Sequence, residues 1–206
     1  MTAPARDQAA SRLTAVPSRA RFAPIDRPAW SDHLPGVVVA EVERRRTDLL
    51  ARMQGRLLDL ADPGAIELAL DAAAVGTEVG SEAPAPDERY DAIVSTCRLV
   101  DVADLPAVLA GLRRLLADGG ELHLVEPINQ PGFASLMVSS GWAVAPALSG
   151  MHLGRDVVRA ARASDLAVVD LDRFEIATPV FPLRRWAQLR AIIIDGHGHH
   201  RRGDKA

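Results

Sequence analysis

The sequence predicts an α/β domain built on a mainly parallel sheet, and three features lead there. Between Gln54 and Gln130, apolar runs of strand length alternate with stretches of helical period. Gly, Pro and Asp residues stand at the joins, where turns need them. The repeated strand, helix, strand order implies parallel neighbours, because a parallel pair needs a long crossover and a helix supplies it. At 206 residues the chain suits one such domain with an extension at each end.

Residues Met1 to Arg21 are rich in Ala, Arg, Ser and Pro without apolar periodicity. Such a segment cannot bury enough surface to order itself, so 1–21 is expected to be a disordered tail. One domain is expected over 22–195, followed by a second tail, rich in Gly, His and Arg, over 196–206. Val39, Val42, Leu49, Leu50 and Met53 recur at roughly helical spacing and predict a helix from Gly36 to Met53, closed by Gly55. Its run Arg44, Arg45 and Arg46 reads as the solvated face of that helix. Leu57, Leu58 and Leu60, bounded by Gly55 and Pro63, predict a strand, and Ala65 to Ala74 a helix. Ala74 to Glu78 reads as a short second strand and Gly80 to Arg89, with two prolines, a glycine and three acids, as loop. A further strand starts at Ala92, Ile93 and Val94. The clearest helix follows: Leu105, Val108, Leu109, Leu112, Leu115 and Leu116 fall at i, i+3, i+4, i+7, i+10 and i+11, one apolar stripe facing a sheet. Asp104 can cap it and Pro106 fits its first turn, while Gly119 and Gly120 are expected to stop it. Leu122 to Val125 is the next strand. Arg155 to Ala163 reads as a helix, and Leu166 to Ile176 and Leu189 to Ile194 as two strands around Pro179 and Pro182, which can close the sheet with an antiparallel edge strand at the C-terminus.

Hydrophobic residues make up 48% and charged residues 25% of the chain, ordinary globular usage that excludes global disorder. A net charge of -3 gives no broad attraction to a phosphate backbone or an anionic membrane, so neither nucleic acid nor membrane is an expected partner. Cys97 is the single cysteine, which rules out an intramolecular disulfide and a Cys-rich zinc site. The apolar run Pro35 to Ala40 is too short to span a bilayer, and a soluble, cytoplasmic protein is expected. Composition leaves the oligomeric state open.

In an open parallel sheet ligands bind beyond the carboxyl ends of the strands, where strand order reverses. The run Arg56 to Gly64 therefore matters most, since amides at the start of the following helix can meet a polar or anionic ligand. Nineteen residues after Asp59 stands Glu78, the spacing at which an acid holds a ribose hydroxyl pair.

Taken together, these segments resemble the class I S-adenosylmethionine (SAM) dependent methyltransferases, of the small-molecule, methyltransferase-type-11-like kind. The resemblance lies in Leu58-Asp59-Leu60-Ala61-Asp62-Pro63-Gly64, Val75-Gly76-Thr77-Glu78 and Tyr90-Asp91-Ala92-Ile93-Val94-Ser95-Thr96. It continues in Leu112-Arg113-Arg114-Leu115-Leu116-Ala117-Asp118-Gly119-Gly120 and in Leu122-His123-Leu124-Val125-Glu126, and more weakly in Met151-His152-Leu153 and Leu171-Asp172-Arg173-Phe174. The resemblance implies a Rossmann-like sheet, SAM as cofactor and a small-molecule acceptor. It places Asp59, Ala61 and Gly64 at the cofactor turn, Glu78 on the ribose, and Ser95 with Thr96 along the methionine side. Methyl transfer from a sulfonium is an in-line displacement, catalysed largely by positioning, with a base to unmask the acceptor; Glu126 and His152 are the candidates.

The chain departs from the family in two places. Ala61 and Pro63 stand where glycines let the backbone approach the cofactor, and Pro63 also removes an amide. Only twelve residues separate Glu78 from Asp91, where the family fits a helix, a third strand and an adenine-covering loop, so the sheet is expected to be shortened on that side. Two functions follow: a SAM-dependent methyltransferase, or a non-catalytic relative of the same fold that binds a partner or ligand. A nicotinamide-dependent dehydrogenase ranks below both, because no G-x-G-x-x-G fingerprint is present. Glu126 has a plainer reading as a cap for the loop before Pro127, His152 as a surface imidazole, His123 as structural and Cys97 as a small buried residue. The His197, His199 and His200 cluster reads as tail, and no metal site is expected.

Overall fold

The computed structural model describes residues 34–62, 64–74, 89–128 and 151–193. Glu78, the expected second strand, most of the loop after it, and both tail boundaries lie outside the described residues. The chain runs α1 (Gly36–Leu50), β1 (Leu57–Asp59), α2 (Ala65–Ala74), β2 (Tyr90–Thr96), α3 (Leu105–Leu115), β3 (Leu116–Pro127), α4 (Val157–Ala163), β4 (Leu166–Glu175), a 3-10 turn (Phe181–Leu183) and β5 (Arg185–Ile193). Mixed α/β architecture is thus as the alternation of apolar runs predicts.

The five strands lie in the order β1-β2-β3-β5-β4. β1, β2 and β3 are parallel, with Leu58 opposite Ile93 and Ile93 opposite Leu122. β5 runs antiparallel between β3 and β4, with Leu189 opposite Leu124 and Leu171. The antiparallel strand near the C-terminus is therefore one place in from the edge, and β4 takes the edge. The reason is the crossover: α4 carries the chain past a vacant lane, and the turn around Pro179 and Pro182 brings β5 back into it.

Side-chain alternation sends successive residues to opposite faces. On one face Leu58, Ile93, Leu122, Leu124, Leu189 and Ala191 form a single core with α2, α3 and α4. Leu105, Val108, Leu109, Leu112 and Leu115 are all buried there, as their spacing predicts, each leucine contributing roughly 1.5–3 kcal/mol on burial. α2 and α3 approach so closely that a Cβ on Gly111 would lie 1.7 Å from the Ala69 carbonyl oxygen. Both helices therefore share one face of the sheet, and among the described residues the strand order does not reverse at β1.

Asp104 accepts a hydrogen bond from the Ala107 amide at 3.0 Å and caps α3 as expected. Its end is different. α3 stops at Leu115 because buried Leu116 turns extended and pairs with Tyr90; Gly119 (φ 77°) and Gly120 then form the irregular step before Glu121 pairs with Ala92.

The other face carries α1, whose Val38, Val42 and Leu49 pack with Val94, Val125 and fully buried Trp186. Here the reading of three solvated arginines is corrected. Arg44 is exposed and pairs with Glu41 and Asp48 on its own helix. Arg45 lies 3.4 Å over the Phe174 ring and donates to Gln188 Oε1 at 2.7 Å and Asp172 Oδ2 at 3.1 Å, so it fastens α1 to β4 and β5. Arg46 turns inward to β1. The stem and planar head of arginine allow both roles, apolar along the chain and bidentate at the tip. Among the described residues no helix is long and apolar enough to cross a membrane.

Candidate functional site

The carboxyl ends of β1, β2 and β3 meet on one edge, which collects Asp59, Ala61 and Gly64 from the first turn, Ser95 and Thr96 from β2, and Glu126 from β3. Parallel pairing sets them level: Asp59 lies opposite Val94, and Thr96 opposite Val125. The Leu60 amide donates to the Val94 carbonyl at 2.8 Å and the Cys97 amide to the Val125 carbonyl at 2.9 Å, which extends the ladder into both loops.

Asp59 is buried and its carboxylate is closely held. Arg46 donates Nε and Nη2 to Oδ2 at 2.9 and 2.5 Å, and the Ala61 amide donates to Oδ1 at 2.9 Å. The cation and the amide keep this buried charge satisfied. Gly64 has φ 81° and open space beside it, so backbone conformation, not crowding, demands glycine there. Above the turn, Arg98 Nε donates to the Leu60 carbonyl at 3.1 Å, and its Nη1 lies 3.4 Å from Asp101.

Glu126 is buried in a different manner. Its Oε1 accepts from Ser95 Oγ at 2.6 Å and from the amides of Arg98 and Leu99 at 3.1 and 3.2 Å. Its Oε2, equally buried, has no hydrogen-bond partner among the described residues. Burial pushes the carboxyl up to about 7; the Ser95 hydroxyl and the Leu99 and Arg98 amides act against that rise, and Asp101 adds to it. The expected cap for the loop before Pro127 is instead a cap for the loop after β2. Cys97 begins that loop in the left-handed region, at φ 54°, fully buried, with its thiol pushed up by burial and by Glu126.

Acids give this edge its character. Asp62 is raised by burial and by Asp59, with Arg46 opposing, and Asp101 is raised by burial, with Arg98 and His152 opposing. These two carboxyls and Glu126 share the edge with the cations of Arg46 and Arg98. Ser95, fully buried on β2, donates its hydroxyl proton to Glu126 Oε1.

His152 is exposed and makes no contact with Glu126 among the described residues; its backbone amide donates to the Val100 carbonyl at 2.7 Å. The two candidate bases are not brought together. His123 is half of a pair with Glu121 at 3.0 Å, Glu121 being held in turn by Arg190, which is a structural arrangement. Arg46 and Arg98 are the residues missed. Arg46 was legible: it stands at i+4 from Val42 and i−3 from Leu49, on the apolar stripe of α1. Arg98 carries no such periodic signal, because it lies in a loop.

No protein-family model matches the chain, and no curated protein matches it. Solved structures do. The N-methyltransferase NodS from Bradyrhizobium japonicum WM9 is 16% identical, over 53% of this chain and 54% of its own, with a TM-score of 0.35. An arsenic(III) S-adenosylmethionine methyltransferase from Chlamydomonas reinhardtii is 18% identical over 80% of this chain and 75% of its own, TM-score 0.40. The glycopeptide N-methyltransferase MtfA, solved in complex with SAM, is 13% identical over 75% and 93%, TM-score 0.41. All three are methyltransferases. The chain spans about half the length of NodS. At these identities and TM-scores, what each binds belongs to that protein.

Proposed function

We propose that the carboxyl edge of β1, β2 and β3 binds S-adenosylmethionine and that the chain is a methyltransferase acting on a small-molecule acceptor. The observation that carries this reading is Glu126: a buried carboxyl whose Oε2 has no hydrogen-bond partner among the described residues, pushed up to about 7 by burial, beside a hydroxyl on the strand next to the cofactor turn. Bound, SAM supplies a methyl group activated on a sulfonium. The chain's own part is to hold and to deprotonate. Asp59 offers an acceptor lone pair to the positively charged end of the ligand, and Asp62 and Asp101 add negative potential. Glu126 Oε2 can take a proton from an acceptor near neutral pH, since a base works best with its pKa near the working pH. Ala61 and Gly64 shape the turn, Thr96 lines the edge, and Glu78 is the proposed ribose acid.

A second reading, a non-catalytic protein of the same fold, is favoured by the first turn. Both Asp59 oxygens already have donors, Arg98 covers the Leu60 carbonyl, α2 shares a face with α3, and among the described residues the strand order does not reverse at β1, where a ligand crevice would open. A thermal-shift titration with SAM and S-adenosylhomocysteine separates the two. A ligand that binds only the folded state stabilises it by about 2.7 kcal/mol at a hundredfold excess over Kd, a rise of roughly 5 °C or more in the melting midpoint. An unmoved midpoint at millimolar ligand rejects the enzyme and leaves the second reading.

A further inference from the structure

We propose that Arg98 bars the carboxyl edge: its side chain crosses from the loop after β2 to the first turn, and a ligand must displace its guanidinium from the Leu60 carbonyl to seat there. The inference rests on the reading of this edge as a SAM site, and it makes the cover over the first turn a removable one.

The place of the arm follows from its two ends. β1 and β2 are parallel neighbours, so the loops that leave them stand side by side above the carboxyl edge, where an open sheet takes its ligands. Arg98 belongs to one loop and reaches the other: Nε donates to the Leu60 carbonyl at 3.1 Å, and Nη1 lies 3.4 Å from Asp101 Oδ2. Both ends are fixed in the backbone. The Leu60 amide donates to the Val94 carbonyl at 2.8 Å, which ties the first turn to β2. On the other side Glu126 Oε1 accepts from the Arg98 and Leu99 amides, and the His152 amide donates to the Val100 carbonyl. Arg155 donates to the carbonyls of Val102 and Ala103. A loop held at so many points does not lift as a whole, so the side chain is the part that can move.

Little holds the arm down. Its counter-charge, Asp101, is three residues on in the same loop and 40% exposed, so an arm released from Leu60 keeps its ion pair on the solvent side. The Arg98 side chain is itself partly exposed, and outward rotation meets water instead of core. Two stances result, one across the edge and one outside it. A ligand that binds only the second has its apparent affinity reduced by the fraction of molecules in that stance, and removing the arm restores the difference. One hydrogen bond from a charged donor puts that difference at about tenfold.

Calorimetric titrations with SAM and S-adenosylhomocysteine test this, two ligands that differ by one methyl group and the sulfonium charge. Arg98→Met, which keeps an apolar stem and drops the guanidinium, should tighten both by about tenfold and by the same factor. Arg98→Gln places an amide nitrogen as many bonds from the backbone as Nε and can still hold the Leu60 carbonyl, so its gain should be smaller. Tightening of SAM alone would show that Arg98 acts only through its charge and would overturn the inference, as would equal gains in Arg98→Gln and Arg98→Met. Unchanged or weaker binding of both ligands to Arg98→Met would overturn it as well. Binding by Arg98→Met alone, with none by the unmodified chain, is the extreme case of the bar and upholds it. Should Arg98→Met fail to fold, Arg98→Lys, whose ammonium cannot fill the Nε and Nη1 positions together, is read in its place and should tighten both ligands to a lesser degree. Binding of neither ligand to the unmodified chain or to either variant overturns the cofactor reading first, and this inference with it.

Discussion

Two buried carboxylates stand two strands apart on the same edge and are treated in opposite ways. Asp59 meets a guanidinium and a backbone amide, so its charge is balanced. Glu126 meets three neutral donors on one oxygen, no cation, and nothing on the other oxygen among the described residues. The first arrangement fixes a structure; the second stores an unmet demand for a donor or a positive charge. The difference teaches that burial alone does not mark a functional acid. What distinguishes the proposed base is burial with incomplete satisfaction among the described residues, and that acid stands on β3, not β1.

The largest expected effect lies at the balanced acid. Asp59→Ala leaves the largely buried Arg46 with only Glu43, 3.6 Å away, as counter-charge and should cost about 3 kcal/mol in denaturant unfolding. Glu126→Gln should behave in the opposite sense at alkaline pH. The folded carboxyl is raised from 4.5 to about 7, so the folded state binds the proton more tightly than the unfolded chain. Its stabilising contribution is complete below about 4.5 and is lost as pH rises through about 7, roughly 3 kcal/mol in all. Urea midpoints between pH 4.5 and 8 should fall in the unmodified chain, and Glu126→Gln should remove that fall. A flat profile in both would mean that Glu126 is better satisfied than its contacts show. Smaller again, Ser95→Ala removes the hydroxyl that pulls Glu126 down and should cost about 2 kcal/mol at pH 8 while moving the pH transition upward. Asp104→Ala, at the cap of α3, sets the scale of an exposed helix cap: about 1 kcal/mol in denaturant unfolding.

The sequence disclosed most of the frame. Most described helices and strands were foreseen to within a few residues, because long apolar stripes such as Leu105 to Leu115 and turn residues such as Gly55 are local signals; β3 instead starts at Leu116, six residues before the expected Leu122, and β5 at Arg185, four before Leu189. It disclosed less of how the frame is put together. The place of β5 inside the sheet depends on which lane α4 leaves open, a long-range choice that no local pattern encodes. At the site, Asp59, Ser95 and Glu126 were found from strand ends, yet their partners were not: Arg46 comes from a helix thirteen residues upstream of Asp59, and the amides of Arg98 and Leu99 are backbone groups that any residue could supply. His152 shows the converse. Its residue type suits catalysis, but the fold leaves it exposed beside Asp101.

The most direct test of the contrast is the proton inventory of ligand binding. Calorimetric titration with SAM near pH 7, in two buffers of different ionisation enthalpy, reads the protons released as the complex forms. A cationic ligand beside Glu126 lowers its pKa, so the unmodified chain should release a substantial fraction of one proton and Glu126→Gln none. A binding heat independent of buffer, or the same release from Glu126→Gln, would contradict the claim that Glu126 is the acid waiting for charge.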